Sequence, residues 1–116
     1  MNESHHYVMG SYLISSSQEL KKFSRCVTLQ ERDSVILQFS DNALFAVVEI
    51  LWNIIVCGTL KPSDSLMTVL REYKKLARNL IKPHEAVKTR RLLLRSPSTF
   101  KELLCHLARI ALKHSI

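Results

Sequence analysis

Glycine and proline are scarce in this chain. Its 116 residues include only two Gly and three Pro, whereas an all-β protein needs many such residues for its tight turns. Hydrophobic residues make up 47% of the chain, which is typical of a folded protein rather than a disordered one. The length suits a single domain. We therefore predict an all-α fold of about five helices, arranged as a small helical bundle or a short α-solenoid.

Cysteine is also scarce, and its spacing is irregular. The chain has three cysteines, Cys26, Cys57 and Cys105, and no two of them form a Cys-x-x-Cys pair. Their odd number and wide spacing indicate neither a disulfide framework nor a zinc site. The first residues lack a basic segment followed by a clean apolar run, which argues against a secretory signal peptide. We expect a reducing intracellular location, cytoplasmic and/or nuclear.

Catalytic motifs are missing too. The chain has no Gly-rich phosphate loop, no Gly-x-Ser-x-Gly nucleophile motif and no paired metal-ligand spacing. His5 and His6 are adjacent near the N-terminus, which is a weak metal signal. Glu102 and His106 share a face of a predicted helix, but two side chains do not make a catalytic site. The sequence predicts a protein that is not an enzyme and that needs no metal or cofactor.

Polar breaks divide the chain into an arm and a helical domain. The Ser-rich residues 1–16 predict a flexible arm, and residues 17–116 predict a single helical domain. Ser40 or Asp41 is expected to cap a long apolar helix, and Gly58 is expected to end it. The short run from Val35 to Phe39 fits either a strand or the end of a helix. The other predicted helices cover residues 18–29, 66–81 and 84–94, and a last one begins after Ser96-Pro97.

Residues 43–60 contain only one charged side chain, Glu49, and one amide, Asn53. The length is at the lower limit for a membrane span, but a charge near the bilayer centre costs about 2.5–3.5 kcal/mol. We therefore predict a buried core helix, and a single-span membrane protein is the alternative. Trp52 is expected to be the largest anchor of the core. The other predicted core residues are Leu51, Ile55, Leu70, Tyr73, Leu104 and Leu107.

The segment Glu49-Ile50-Leu51-Trp52-Asn53-Ile54-Ile55 resembles the third, buried helix of an armadillo repeat. In that family a Leu-Trp-Asn-Leu pattern packs between stacked repeats, and here the likeness covers Phe45 to Val56. The glycine expected ahead of a repeat's first helix is not evident, and no second segment copies the pattern. The resemblance implies a non-enzymatic, protein-binding α-solenoid of two or three units, of which this chain is a short form or a fragment.

The second half of the chain is strongly basic. Residues 1–60 carry four Lys/Arg and six Asp/Glu, whereas residues 61–116 carry 13 Lys/Arg and four Asp/Glu. This asymmetry predicts an anionic partner, although Lys and Arg also simply solvate exposed helices. We expect a protein-interaction or scaffold module with an acidic protein partner. A small nucleic-acid-binding protein is the alternative, but aromatic residues for base stacking are few. A membrane partner is less favoured.

Two groups of residues are predicted to contact that partner. The first is a stripe on the helix over residues 66–81, opposite its apolar face, and it consists of Arg71, Lys74, Lys75, Arg78 and Lys82. The second is Arg90 and Arg91 in the segment Lys88–Arg95, which fits a nuclear-import patch or a docking peptide. The adjoining Ser96-Pro97 predicts a proline-directed phosphorylation site at Ser96.

Overall fold

The structure is a computed structural model that describes residues 10–114, and the described residues form eight α-helices and no β-strand. The all-α prediction is confirmed, but the number of helices exceeds the five expected. The helices are α1 (Ser11–Ser15), α2 (Ser17–Ser24), α3 (Leu29–Gln38), α4 (Asp41–Ile55), α5 (Asp64–Glu72), α6 (Lys74–Leu80), α7 (Ala86–Arg95) and α8 (Ser98–His114).

Helix α1 lies within the segment that the sequence predicts to be a flexible arm. Its Leu13 is fully buried, and its Tyr12 ring packs on Phe45 of α4 with a centroid separation of 5.3 Å. The Glu49 carboxylate accepts a hydrogen bond from the Leu13 amide at 3.2 Å. For residues 11–16 the arm prediction is therefore wrong, because side chains distant in sequence hold this turn in place. Residues 1–9 of that arm, including His5 and His6, lie outside the described residues.

The break between α2 and α3 falls inside the helix predicted for residues 18–29. Thr28 accepts a hydrogen bond from the Glu31 amide at 3.1 Å, and the Glu31 carboxylate accepts one from the Thr28 amide at 3.0 Å. This capping box starts a new helix, which continues through Val35 to Gln38. The alternative of a strand at residues 35–39 is wrong.

Helix α4 begins as the sequence predicts. The Ser40 hydroxyl accepts a hydrogen bond from the Ala43 amide at 3.2 Å, which makes Ser40 the N-cap. The helix ends at Ile55, and the chain then turns at Gly58, whose positive φ of 64° suits glycine. Within residues 10–114 no single helix meets the length and hydropathy expected of a membrane span. The α3–α4 pair, bent by 118°, meets them only when the two are taken together.

The helix predicted for residues 66–81 is interrupted at Tyr73. Its backbone angles, φ −109° and ψ 24°, are not helical, and they separate α5 from α6. The Tyr73 hydroxyl is hydrogen-bonded to the Thr99 hydroxyl, and its ring packs on Phe100 with a centroid separation of 5.4 Å. Tyr73 thus contacts the start of α8 at the point where the helix breaks. The apolar periodicity of residues 66–81 predicts one continuous helix and does not reveal this break.

The core lies between α8 and the helices around it, with α2 packed along α8 most extensively. Leu51, Leu70, Leu104 and Leu107 are buried, whereas Ile55 and Tyr73 are half-buried.

Trp52 is 45% exposed, so its prediction as the main core anchor is wrong. The buried stripe of α4 is Val47, Ile50, Leu51 and Ile54. Trp52 points away from it because each residue turns the helix by about 100°.

Candidate interaction surface

The predicted basic stripe is at the surface, spread over two helices. Arg71 lies in the last turn of α5, Lys74, Lys75 and Arg78 lie on α6, and Lys82 follows α6. All five side chains are exposed. The ion pairs found among residues 10–114 are Arg32–Glu102 and Lys101–Asp33. None of the five cations therefore forms a close ion pair with a carboxylate of residues 10–114.

Three of these cations surround an apolar cleft between the end of α4 and the α5–α6 pair. The cleft has a volume of about 320 Å³. Its rim carries Arg71, Lys74 and Arg78, and its floor is formed by Ile54, Ile55, Met67, Leu70 and Ala77. We call this the α4–α6 cleft. It combines an apolar floor with exposed positive charge on its rim, as protein interfaces combine an apolar centre with a polar rim.

The other two predicted cations are placed differently. Lys75 lines a neighbouring depression of about 480 Å³ that also contains Glu72, Tyr73 and Pro97. The Glu72 carboxylate reduces the positive potential there. Lys82 follows the end of α6 and lines neither of these two depressions. Arg71 and Lys74 line both depressions, so the structure brings them together with Arg78 in one and with Lys75 in the other, and it sets Lys82 apart.

The second predicted group divides as well. Arg91 is exposed, but Arg90 is half-buried and donates a hydrogen bond from Nη2 to the Phe39 carbonyl at 2.5 Å. Arg90 therefore connects α7 to the end of α3 and is a structural residue. Ser96 is only 6% exposed, and its hydroxyl donates to the carbonyls of Leu92 and Leu93. This hydroxyl is thus buried and already hydrogen-bonded in the folded chain, and phosphorylation at Ser96 stays a prediction.

A further cleft escaped the sequence analysis. It lies between α2 and α3, has a volume of about 760 Å³, and carries Lys21, Lys22 and Arg25 on its α2 wall. The α3 wall contributes Gln30, Glu31, Ser34 and Gln38. The cations at positions 21, 22 and 25 share one side of a helix, and this spacing was the available signal. The slightly acidic balance of residues 1–60 obscured it.

Several cations of the chain bind main-chain carbonyls of the fold. Lys101 is 3% exposed, and its ammonium group lies 2.6 Å from Asp33 Oδ1 and 2.7 Å from the Leu94 carbonyl. Arg109 donates to the Ser24 carbonyl at 2.6 Å, and Arg32 donates to the Val27 carbonyl at 3.0 Å. Part of the positive charge thus satisfies main-chain carbonyls, most of them at helix ends, and is not available to a partner.

The titratable groups inside the fold offer little for catalysis. Burial raises the pKa of the Cys105 thiol to about 11, so the thiol stays protonated and is a poor nucleophile at neutral pH. Burial also raises the pKa of Glu49, against the opposing effect of hydrogen bonds from the Leu13 and Tyr12 amides. Among residues 10–114 no group of three or more His, Cys, Asp or Glu side chains is arranged to hold a metal ion.

Comparison of the chain with protein-family models, with curated proteins and with solved structures finds no match. The features of the chain that bear on its function are therefore the geometry of the α4–α6 cleft and the charges around it.

Proposed function

We propose that this protein is a non-enzymatic interaction module, acting in the cytoplasm and/or nucleus, that binds an acidic protein at the α4–α6 cleft. The observation that carries the proposal is the convergence of Arg71, Lys74 and Arg78 around an apolar floor. Arginine next to apolar contact area is common among the residues that dominate the binding energy of protein interfaces. The three cations supply orientation and association rate, and the floor supplies buried area.

The range of the electrostatic attraction defines what sort of partner fits. At physiological ionic strength charges are screened over about 8 Å. The rim therefore acts on carboxylates that come to the cleft itself, and cations farther from the cleft than this distance contribute little to a partner held there. A partner with several Asp or Glu side chains next to an apolar patch complements this surface.

Nucleic-acid binding is the competing function. A phosphate backbone would also contact the rim, but single-strand binders add aromatic side chains on which bases stack. The α4–α6 cleft is lined by aliphatic side chains, methionine and cations, with no aromatic residue among those that line it. This composition favours an acidic protein over a nucleic acid.

The finer architecture of a short armadillo-like solenoid is part of the proposal. In stacked helical repeats each unit buries its apolar face against a neighbouring unit. Trp52 and Val56 are both exposed on the C-terminal half of α4 or directly after it. In a solenoid they would be the surface on which an adjacent repeat packs.

A charge-reversal experiment tests the proposed function. The triple variant Arg71→Glu, Lys74→Glu, Arg78→Glu is compared with a matched control, Lys61→Glu, Lys88→Glu, Lys113→Glu, which changes the net charge equally at exposed positions elsewhere. Binding of a labelled polyglutamate peptide and of a labelled DNA duplex is measured by fluorescence anisotropy over a range of salt concentrations. We expect the cleft variant to bind polyglutamate about tenfold more weakly than the control variant does.

The same titrations decide between the two candidate functions. Equal loss of polyglutamate binding in both triple variants would contradict a specific site at the cleft. Tighter binding of DNA than of polyglutamate, with a steep loss of affinity on adding salt, would support the nucleic-acid alternative.

A further inference from the structure

The side chains on the floor of the α4–α6 cleft cannot form hydrogen bonds with a peptide backbone. The five floor side chains are those of Ile54, Ile55, Met67, Leu70 and Ala77, and none carries a hydrogen-bonding N–H or O–H group. The walls are helices, which present no continuous row of free amides and carbonyls as the edge of a sheet does. A partner segment that enters this cleft must therefore satisfy its own main-chain hydrogen bonds, because unpaired buried amides are costly.

This requirement selects among the ways in which proteins bind peptides. An extended segment gains affinity from main-chain hydrogen bonds to a sheet edge, whereas a helix brings its hydrogen bonds with it and inserts only side chains. The cleft volume of about 320 Å³ equals roughly ten times the volume of a water molecule in the liquid. It can hold a few aliphatic side chains from one helix face, but not a whole helix.

The cations on the rim have a spacing that suits a helical partner. Lys74 and Arg78 are four residues apart on α6 and share one side of it, and Arg71, at the end of α5 before the break at Tyr73, lines the same cleft. Acidic side chains placed at the same intervals along a partner helix, beside its apolar stripe, would meet them in sequence.

Two features of the fold make the cleft open and adaptable. The break at Tyr73 separates α5 from α6, and α5 packs mainly on α8 and α6 rather than on α4. The space next to the end of α4 therefore stays unfilled. Met67 on the floor has a flexible, unbranched side chain that can adjust to different apolar residues.

We propose that the α4–α6 cleft binds an acidic amphipathic helix of a partner protein. Apolar side chains at positions i, i+3 or i+4, and i+7 of that helix fill the floor. Its Asp and Glu side chains beside the stripe pair with Arg71, Lys74 and Arg78. This inference rests on the proposed function, since it specifies the form of the acidic partner.

Two labelled peptides of identical composition test the inference. Both contain Leu and Glu, but one places Leu at helical spacing to form an apolar face and the other has the same residues in scrambled order. We expect the amphipathic peptide to bind the wild-type protein about tenfold more tightly than the scrambled one. We also expect its helical circular dichroism to increase on binding. Equal affinities for the two peptides would overturn the inference.

Floor variants identify where the apolar face binds. Met67 and Ile55 are half-buried, so Met67→Gln and Ile55→Gln can be accommodated by the fold, which a thermal melt verifies. We expect either variant to abolish the preference for the amphipathic peptide. The control Val87→Gln, at an exposed position on α7, should retain it. Preference retained in both folded floor variants would place the binding site elsewhere and contradict the inference.

The charge-reversal variant separates this inference from the proposed function. If Arg71→Glu, Lys74→Glu, Arg78→Glu weakens both peptides equally while the wild type does not distinguish them, the cleft binds acidic segments without requiring a helix. If that variant weakens neither peptide relative to its matched control, the proposed function is itself wrong.

Discussion

Some cations in this protein bind carbonyls at the ends of its helices. The last turn of a helix leaves carbonyls without partners inside the helix, and positive charge is favourable there. Lys101 binds the Leu94 carbonyl near the end of α7, and Arg109 binds the Ser24 carbonyl at the end of α2. A basic composition is thus partly a structural requirement of a chain with many short helices.

Replacement of Lys101 tests this role. Lys101→Met keeps the aliphatic stem but leaves the Asp33 carboxylate and the Leu94 carbonyl without their partner. We expect the free energy of unfolding to fall by about 2–4 kcal/mol. Chemical denaturation measures the change, with the exposed Lys113→Met on the same helix as the control. A loss equal to that of the control would show that the ammonium group contributes nothing.

Glu49 connects α1 to α4 through its carboxylate. It accepts the Leu13 amide hydrogen bond, and a Cβ atom added at Gly10 would collide with this carboxylate. Gly10 is therefore suited to the close approach of the two helices. Burial of the carboxylate disfavours its charged form, and this is the main cause of its raised pKa.

The pKa of Glu49 determines how its contribution to stability varies with pH. Because the pKa is higher in the folded chain than in the unfolded chain, the contribution is fully present below the unfolded value and is lost as pH rises through the folded value. Glu49→Gln keeps an acceptor for the Leu13 amide without the charge. We expect this variant to melt above the wild type at neutral pH, with the difference vanishing in acid below the ordinary Glu pKa. A lower melting midpoint at neutral pH would contradict this account.

At the scale of the elements, Ser40 joins two helices. It caps α4, and its amide and hydroxyl both donate to the Glu19 carboxylate of α2, at 2.8 and 2.7 Å. The same residue therefore fixes the start of the long apolar helix and its position relative to α2.

Ser40→Ala removes the cap and one of the two bonds to Glu19. We expect a loss of about 1–2 kcal/mol in the free energy of unfolding. Ser63→Ala, which removes a longer cap bond of 3.4 Å to the Leu66 amide, is the comparison and should cost less. Urea unfolding of both variants measures the difference, and an equal cost for the two would mean that the Glu19 contact adds nothing.

Local signals in the sequence were enough to predict several elements. Ser40 and Ser63 have the side chains that helix N-caps require, and Gly58 follows the end of the apolar helix, so these boundaries could be read directly. The Thr28-x-x-Glu31 capping box is a local signal of the same kind, and it marks the start of α3. These features depend only on residues a few positions apart.

Long-range contacts account for what the sequence did not predict. The break at Tyr73 involves Thr99 and Phe100, and helix α1 depends on Glu49 and Phe45. The prediction that Trp52 is buried was wrong because it rested on hydrophobicity alone, and an apolar residue need not lie on the buried stripe of its helix. The basic side of the α4–α6 cleft was predicted from Arg71, Lys74 and Arg78, but its apolar floor combines residues from α4, α5 and α6 that only the fold brings together.

At the scale of the whole molecule, the charged residues that give the net charge of +7 are unevenly distributed. Lys101, Arg109, Arg32 and Arg90 are engaged with main-chain carbonyls. The cations next to clefts form two groups. One group lines the α4–α6 cleft and the depression beside it, and the other lies on the α2 wall of the α2–α3 cleft. Of these clefts, the one on α4–α6 is lined, apart from its three cations, by aliphatic side chains and methionine alone, which is why it is assigned the partner.

Mapping the contact of an acidic peptide on the isotope-labelled protein by NMR tests this assignment most directly. The account predicts that amide shifts change around Arg71, Lys74 and Arg78 and along the floor of the α4–α6 cleft, while those of α2 stay in place. Changes concentrated at Lys21, Lys22 and Arg25, or spread evenly over the basic surface, would contradict it.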